Sequence, residues 1–229
     1  MVARYRWFDV GWVLLTNLTV LAGVIAWGWP PGNVFLLFWV ENVILGAVTA
    51  VKIQTAQGAD PTADNRYPRW VTTGFFTVHY GIFALVHGAF VTIIAVSAGV
   101  SWAFVALGMP IVLIAIRHVA DLATVWFLGR QRFAVSAGQA FASPYPRLIV
   151  LHVATLLGFM LVVPFGGARR WGAVLNPIRD WFAAQGYPLS DGALVVVLLM
   201  VLKSIADVGI IRGGGIKPAN LRFSFSSNW

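Results

Sequence analysis

Residues 70–97 read WVTTGFFTVHYGIFALVHGAFVTIIAVS, without a single Asp, Glu, Lys or Arg. About 20 mainly apolar residues suffice for a helix to cross the hydrocarbon core of a bilayer. Working outward from this stretch, five more runs meet the same criterion: Phe8–Gly28, Asn33–Ile53, Trp102–Gly129, Arg147–Phe165 and Ser190–Ile211. The run Phe8–Gly28 follows Arg4 and Arg6 as a signal peptide would. It is too long for one and no small-x-small cleavage site follows, so it is read as a retained span. The expected fold is therefore all-α: a polytopic transmembrane bundle of about six spans, forming one membrane domain over residues 1–229.

Composition agrees. Hydrophobic residues make up 59% of the chain and charged residues only 10%, with a mean hydropathy of +0.80. Soluble domains carry about 25% charged residues, and a soluble surface of this size needs them. The net charge of +8 would suggest nucleic acid in a soluble domain. Here no basic domain stands apart from the apolar runs, and nucleic-acid binding is not expected. There is no cysteine, which excludes disulfides, thiolate metal sites and cysteine nucleophiles.

Lys and Arg set an orientation. Arg4, Arg6, Lys52, Arg66, Arg69, Arg130, Arg132, Arg147, Arg212, Lys217 and Arg222 fall on one side, and Arg169, Arg170 and Arg179 on the other. Eleven against three places both termini in the cytoplasm of an inner (cell) membrane protein, with anionic lipid headgroups as partners of the cytoplasmic face. Trp7, Trp70 and Trp126 fall near inner ends, and Trp27, Trp29, Trp102 and Trp171 near outer ends, where indole rings prefer to sit. Trp-Pro-Pro-Gly at 29–32 predicts a tight outer hairpin, and 54–69 and 130–146 read as cytoplasmic loops. The outer segment 171–187 has the pattern of a short surface helix, with a plain loop as the alternative.

Within the third span, Gly74, Gly81 and Gly88 recur every seven residues beside Thr77, Ala84 and Ala95. Such a stripe is expected to be a close-packing face. His79 and His87 point away from it. Eight residues separate them by about 12 Å along a helix, too far for one metal ion.

Ionisable groups at membrane depth are costly, about 2.5–3.5 kcal/mol each for charged side chains near the centre. The spans nevertheless hold Glu41, His79, His87, Arg117, His118, Asp121, His152, Lys203 and Asp207, with Asn42 beside Glu41. Arg117-His118-Val119-Ala120-Asp121-Leu122 aligns with Lys203-Ser204-Ile205-Ala206-Asp207-Val208, a hint of a duplicated helical hairpin. The basic and acidic residues pair at i,i+4 within each helix or cross-pair between the two. His79, His118 and His152, with Asp121, are candidates for a three-histidine metal site, and two of the histidines are candidates for a haem. HExxH, GxSxG, P-loop and GxGxxG motifs are all missing.

Trp39-x-Glu41-Asn42, His79-Tyr80-Gly81-x-Phe83-x-x-x-His87-Gly88-x-Phe90 and Lys203-x-x-x-Asp207 together resemble an uncharacterised family of prokaryotic multipass membrane proteins, the domain of unknown function numbered 6498. The resemblance implies a compact helical membrane fold and no established activity. The preferred functional expectation is a small transporter or carrier with a buried His/Asp/Arg/Lys site, in which Asp121 and Asp207 take cations or protons. The rivals are a metal- or haem-dependent membrane enzyme acting on a lipid-like substrate, and a non-catalytic scaffold or assembly subunit.

Overall fold

In the computed structural model, residues 2–59, 68–162 and 167–212 are described, and among them there are helices and turns and no strand. The helices are α1 (Val2–Ala26), α2 (Pro31–Thr55), α3 (Arg69–Ala98), α4 (Phe104–Leu128), α5 (Ala137–Ala142), α6 (Tyr145–Val162), α7 (Gly167–Ala184) and α8 (Asp191–Arg212). Four stretches of the described residues are long and apolar enough to cross a membrane: Pro31–Thr55, Arg69–Ala98, Phe104–Leu128 and Ala137–Met160. Several residues read from the sequence lie outside the described ones. They are Pro61 and Arg66 of the second loop, Phe165 at the end of the fifth run, and Lys217 and Arg222 of the tail. So do the side chains of Arg4, Arg6, Trp7, Arg169, Arg170, Trp171, Asp207 and Arg212.

The hairpin at 29–32 forms as its residues require. Gly28 takes φ +65°, a conformation open to glycine. Pro30 is extended and Pro31 opens α2, where a missing N–H costs nothing. Gly32 then meets the end of α3 so closely that a Cβ would lie 2.3 Å from the carbonyl oxygens of Ala95 and Gly99, and its N–H donates to the Gly99 carbonyl at 3.0 Å. Asn33, buried, ties down the next connection. Its Nδ2 donates to the carbonyls of Ser101 (3.0 Å) and Ala106 (3.2 Å), and its Oδ1 accepts from the Ser101 N–H at 2.9 Å.

α2 is the central helix, packed against α3, α4, α5, α6 and α8. Helices in lipid gain little from burying apolar surface against one another, so close packing and interhelical hydrogen bonds carry the association. Gly46 faces the Tyr80 ring, and Gly88 faces the Trp39 ring. Each ring also finishes its hydrogen bonding across the seam: Tyr80 O–H donates to the Asn42 carbonyl (2.9 Å) and Trp39 Nε1 to the Ala84 carbonyl (2.8 Å). α1 packs on α8, with Asn17 Nδ2 donating to Ser204 Oγ at 3.1 Å.

Two expectations need correction. The buried line of α3 runs through Phe76, Tyr80, Ala84, Gly88, Val91 and Ala95, so the glycine stripe packs only at Gly88; Gly74 and Gly81 face open space. The segment 130–146 is not a plain loop. It holds a 3₁₀ turn, Gln131–Phe133, and then α5, begun by a capping box in which Ser136 and Gln139 exchange side-chain and backbone hydrogen bonds. This segment pins the end of α2, since Gln57 N–H donates to the Arg132 carbonyl (2.6 Å) and Gly58 N–H to the Val135 carbonyl (3.0 Å). The segment 171–187 is largely helical, as part of α7, with Pro177 inside it, and Arg179 pairs with Asp191 at the start of α8.

Candidate functional site

Glu41 lies near the middle of α2, where a lone carboxylate would be strongly disfavoured in hydrocarbon. The fold gathers positive charge around it. His118 Nε2 is 3.5 Å from its Oε1, and Arg117 Nη1 is 4.0 Å away. The charges of Lys203 on α8 and Arg147 on α6 act on it as well. Three helices thus direct charge to one carboxylate. At 3.5 Å the His118 contact is close enough for attraction, but it is not aligned as a hydrogen bond, and His118 Nε2 is buried without a hydrogen-bond partner among the described residues. Asn42 Oδ1 and Thr49 Oγ1, also on α2, share that condition. Native interiors rarely leave such atoms unsatisfied, and three of them, on His118, Asn42 and Thr49, lie on α4 and α2.

Asp121 lies away from this centre. Its side chain is half exposed and pairs with Lys52 of α2 at 3.4 Å, where Lys52 also stands over the Trp126 ring. Among the described residues, Arg117 therefore pairs with Glu41 and Asp121 with Lys52. The i,i+4 pairing of Arg117 with Asp121 within α4 is not seen; cross-pairing of Arg117 would need Asp207, whose side chain lies outside the described residues. Lys203 places its ammonium 5.8 Å from the Phe38 ring centre; the side chain of Asp207 lies outside the described residues.

The histidines divide differently from the expectation. His118 joins Glu41. His79 is exposed, stacked on Phe75 and near Tyr145. His87 and His152 meet across α3 and α6, with Nε2 of one 2.8 Å from Nδ1 of the other, while His87 Nδ1 lies 2.8 Å from the Phe83 carbonyl. The expected gathering of His79, His118 and His152 with Asp121 does not occur: among the described residues no three His, Asp or Glu side chains form a group able to hold a metal ion. The two facing nitrogens of His87 and His152 are at hydrogen-bond distance. They are too close to stand on opposite sides of a metal, where two bonds of about 2.0–2.1 Å would separate them by about 4 Å. Their partnership was not legible in the sequence. Spacing along one helix cannot say which residue of another helix stands opposite.

The model of a family of unknown function, DUF6498, matches residues 1–218, nearly the whole chain, in keeping with the resemblance carried by the Trp39, His79 and Lys203 motifs. No curated protein matches the chain, and no solved structure does.

Proposed function

The chain belongs to DUF6498, a family of unknown function, and from its own site we propose that it is a multipass membrane carrier with Glu41 as its proton-binding group. The reading takes six spans, adding α1 and α8 to the four long apolar helices. It places both termini in the cytoplasm, because the basic residues concentrate on that side. Cell-membrane placement, with anionic headgroups meeting the basic loops, follows from the same asymmetry.

The observation that carries the proposal is the convergence on Glu41 of His118 and Arg117 from α4, with the charges of Lys203 and Arg147 from two further helices. Ionisable groups at this depth commonly mark ion or proton paths. Glu41 and His118 are both able to bind and release a proton, and their 3.5 Å separation lets a small shift of α4 against α2 make or break a direct hydrogen bond. Arg117 offers a fixed positive charge 4.0 Å from Glu41, opposite to that of its carboxylate. Asp121 moves from the centre of the expected site to its edge, because it is half exposed and already paired with Lys52.

The test is proton flux into proteoliposomes carrying a trapped pH dye, driven by a potassium diffusion potential. The wild-type chain should acidify the lumen above protein-free vesicles. Glu41→Gln, matched for folding by gel filtration, should lower the rate at least about tenfold, as expected when the proton-binding carboxylate is lost. Equal rates for the two, or no flux above empty vesicles, would sink the carrier reading and leave the cluster a packing device, as the scaffold reading has it.

A further inference from the structure

The turn after α4 holds two cations, Arg130 and Arg132, of which the Glu41 cluster makes no use. Both guanidiniums stand against one ring. That of Arg130 lies 5.2 Å from the Phe133 centre and that of Arg132 4.7 Å from it, with the Phe127 ring 5.6 Å from Arg132 as well. The shared ring holds the two charges within about 10 Å of each other, a separation at which physiological salt leaves repulsion only partly screened. No acid of the surrounding sequence offsets them, since residues 122–179 contain no Asp or Glu. Among the described residues neither guanidinium pairs with a carboxylate.

The frame that presents these charges is fixed. Arg130 takes φ +59°, and among the described non-glycine residues it alone enters the left-handed region, which a side chain disfavours. Such a conformation persists where its neighbours over-determine it. Arg130 N–H donates to the Phe127 carbonyl (3.2 Å), and the Arg130 carbonyl accepts from Phe133 N–H (3.1 Å). The end of α2 clamps the turn from the other side, through Gln57 N–H on the Arg132 carbonyl and Gly58 N–H on the Val135 carbonyl. In the membrane reading, on which this inference rests, the turn lies at the level of the headgroups. Leu128 ends an apolar span and is 78% exposed, and Phe133 is 44% exposed. Arg130 and Arg132 stand between these two in sequence, so charges and lipid-seeking side chains share one short turn at the bilayer edge.

We propose that this turn docks an anionic phospholipid whose head ends in a phosphomonoester, with Arg130 and Arg132 gripping the phosphate and Leu128 and Phe133 meeting the acyl chains. Charge complementarity selects the occupant. A phosphomonoester brings nearly two negative charges and three strong acceptor oxygens, which match two guanidiniums whose forked N–H groups take phosphate bidentately. A phosphodiester head offers one charge and fewer free oxygens, and a zwitterionic head adds a cation of its own. The general attraction of basic loops to anionic lipid depends on charge alone; this turn also selects for the terminal phosphate. A free phosphate shares the head chemistry but has no apolar body for the exposed Leu128 and Phe133, so the lipid is the occupant.

The experiment is native mass spectrometry of the full chain, released from micelles that hold equal amounts of phosphatidic acid, phosphatidylglycerol and phosphatidylcholine. Phosphatidic acid should occupy the chain about fivefold more than phosphatidylglycerol, the factor that one further charge contact provides. Arg130→Gln, at an exposed position, should reduce that preference with the thermal midpoint unchanged, and Arg130→Gln with Arg132→Gln should abolish it. Arg130→Lys keeps the charge and loses the fork. It should retain the excess of phosphatidylglycerol over phosphatidylcholine and lose most of the excess of phosphatidic acid over phosphatidylglycerol. Arg179→Gln, which removes a cation from another helix, should leave both ratios as they are. Equal occupancy by phosphatidic acid and phosphatidylglycerol, or a preference that survives the double substitution, would overturn the proposal. Displacement of the lipid by glycerol phosphate at the same concentration would overturn it too, by assigning the turn to a soluble phosphate. Glu41→Gln should bind lipid as the wild type does, so failure of this proposal and failure of proton carriage by Glu41 are separate results.

Discussion

Single side chains hold this molecule together mainly by meeting backbone groups across helix seams. Asn33 is the clearest case, with two hydrogen bonds to Ser101 in the connection between α3 and α4 and one to Ala106 at the start of α4. Replacing it with Ala would leave buried backbone groups unpaired, so Asn33→Ala is expected to destabilise the chain by about 1–3 kcal/mol, measured as the loss of unfolding free energy in a mixed-micelle denaturant titration. At this scale the sequence named the residues of the polar layer and could not assign their partners. Asp121, His118 and His79 all read as members of one site. In the fold, His118 turns to Glu41, Asp121 to Lys52 and His79 to the exposed surface of α3. A rotation of a helix by a fraction of a turn exchanges these outcomes while leaving the apolar run unchanged.

Among elements, the contrast between glycines on α3 and α2 is decisive. Gly46 and Gly88 make room for the Tyr80 and Trp39 rings, whereas Gly74 and Gly81 meet nothing within 4 Å. Gly46→Ala would place its Cβ 2.5 Å from Tyr80 Cε1; the ring must move, and overpacking of this kind costs about 1–3 kcal/mol. Gly81→Ala should instead be neutral or slightly stabilising, since Ala is the better helix former by up to about 1 kcal/mol. Thermal aggregation midpoints of the two variants in the same detergent would order them. A Gly81→Ala protein as damaged as Gly46→Ala would mean that a second helix covers the glycine stripe in the membrane. α5 shows the reverse lesson. Its Ser136-x-x-Gln139 capping box was legible as a helix-start signature, yet a helix of six residues carries too little periodicity to stand out from a loop.

For the molecule as a whole, the cysteine-free sequence offers a clean test of orientation. A single cysteine at Ala103, in the exposed connection before α4, should react with a membrane-impermeant maleimide added to intact cells. A cysteine at Gln131, in the turn after α4, should react only after the membrane is opened. Both positions are exposed, so accessibility within the protein does not confuse the comparison, and the opposite labelling pattern would invert the proposed topology. The same scale separates two charged regions. One lies at Glu41 on the central helix and the other at the turn bearing Arg130 and Arg132, and each has its own test.

Amino-acid sequence alone determined the helical class, the long apolar runs that four of the helices follow, the Trp-Pro-Pro-Gly hairpin before Asn33, and which ionisable residues lie inside those runs. These depend on local quantities: apolar length, backbone freedom at Gly and Pro, and the count of charges. Only the tertiary structure decided that Glu41 rather than Asp121 is the centre of charge, that His87 meets His152, and that two of three striped glycines pack against nothing. Those outcomes depend on which azimuth of each helix faces its neighbour. In a bundle whose surfaces are apolar on every side, no amphipathic stripe fixes that angle in advance. It is set by where a Trp or Tyr ring finds a glycine and a carbonyl across the seam.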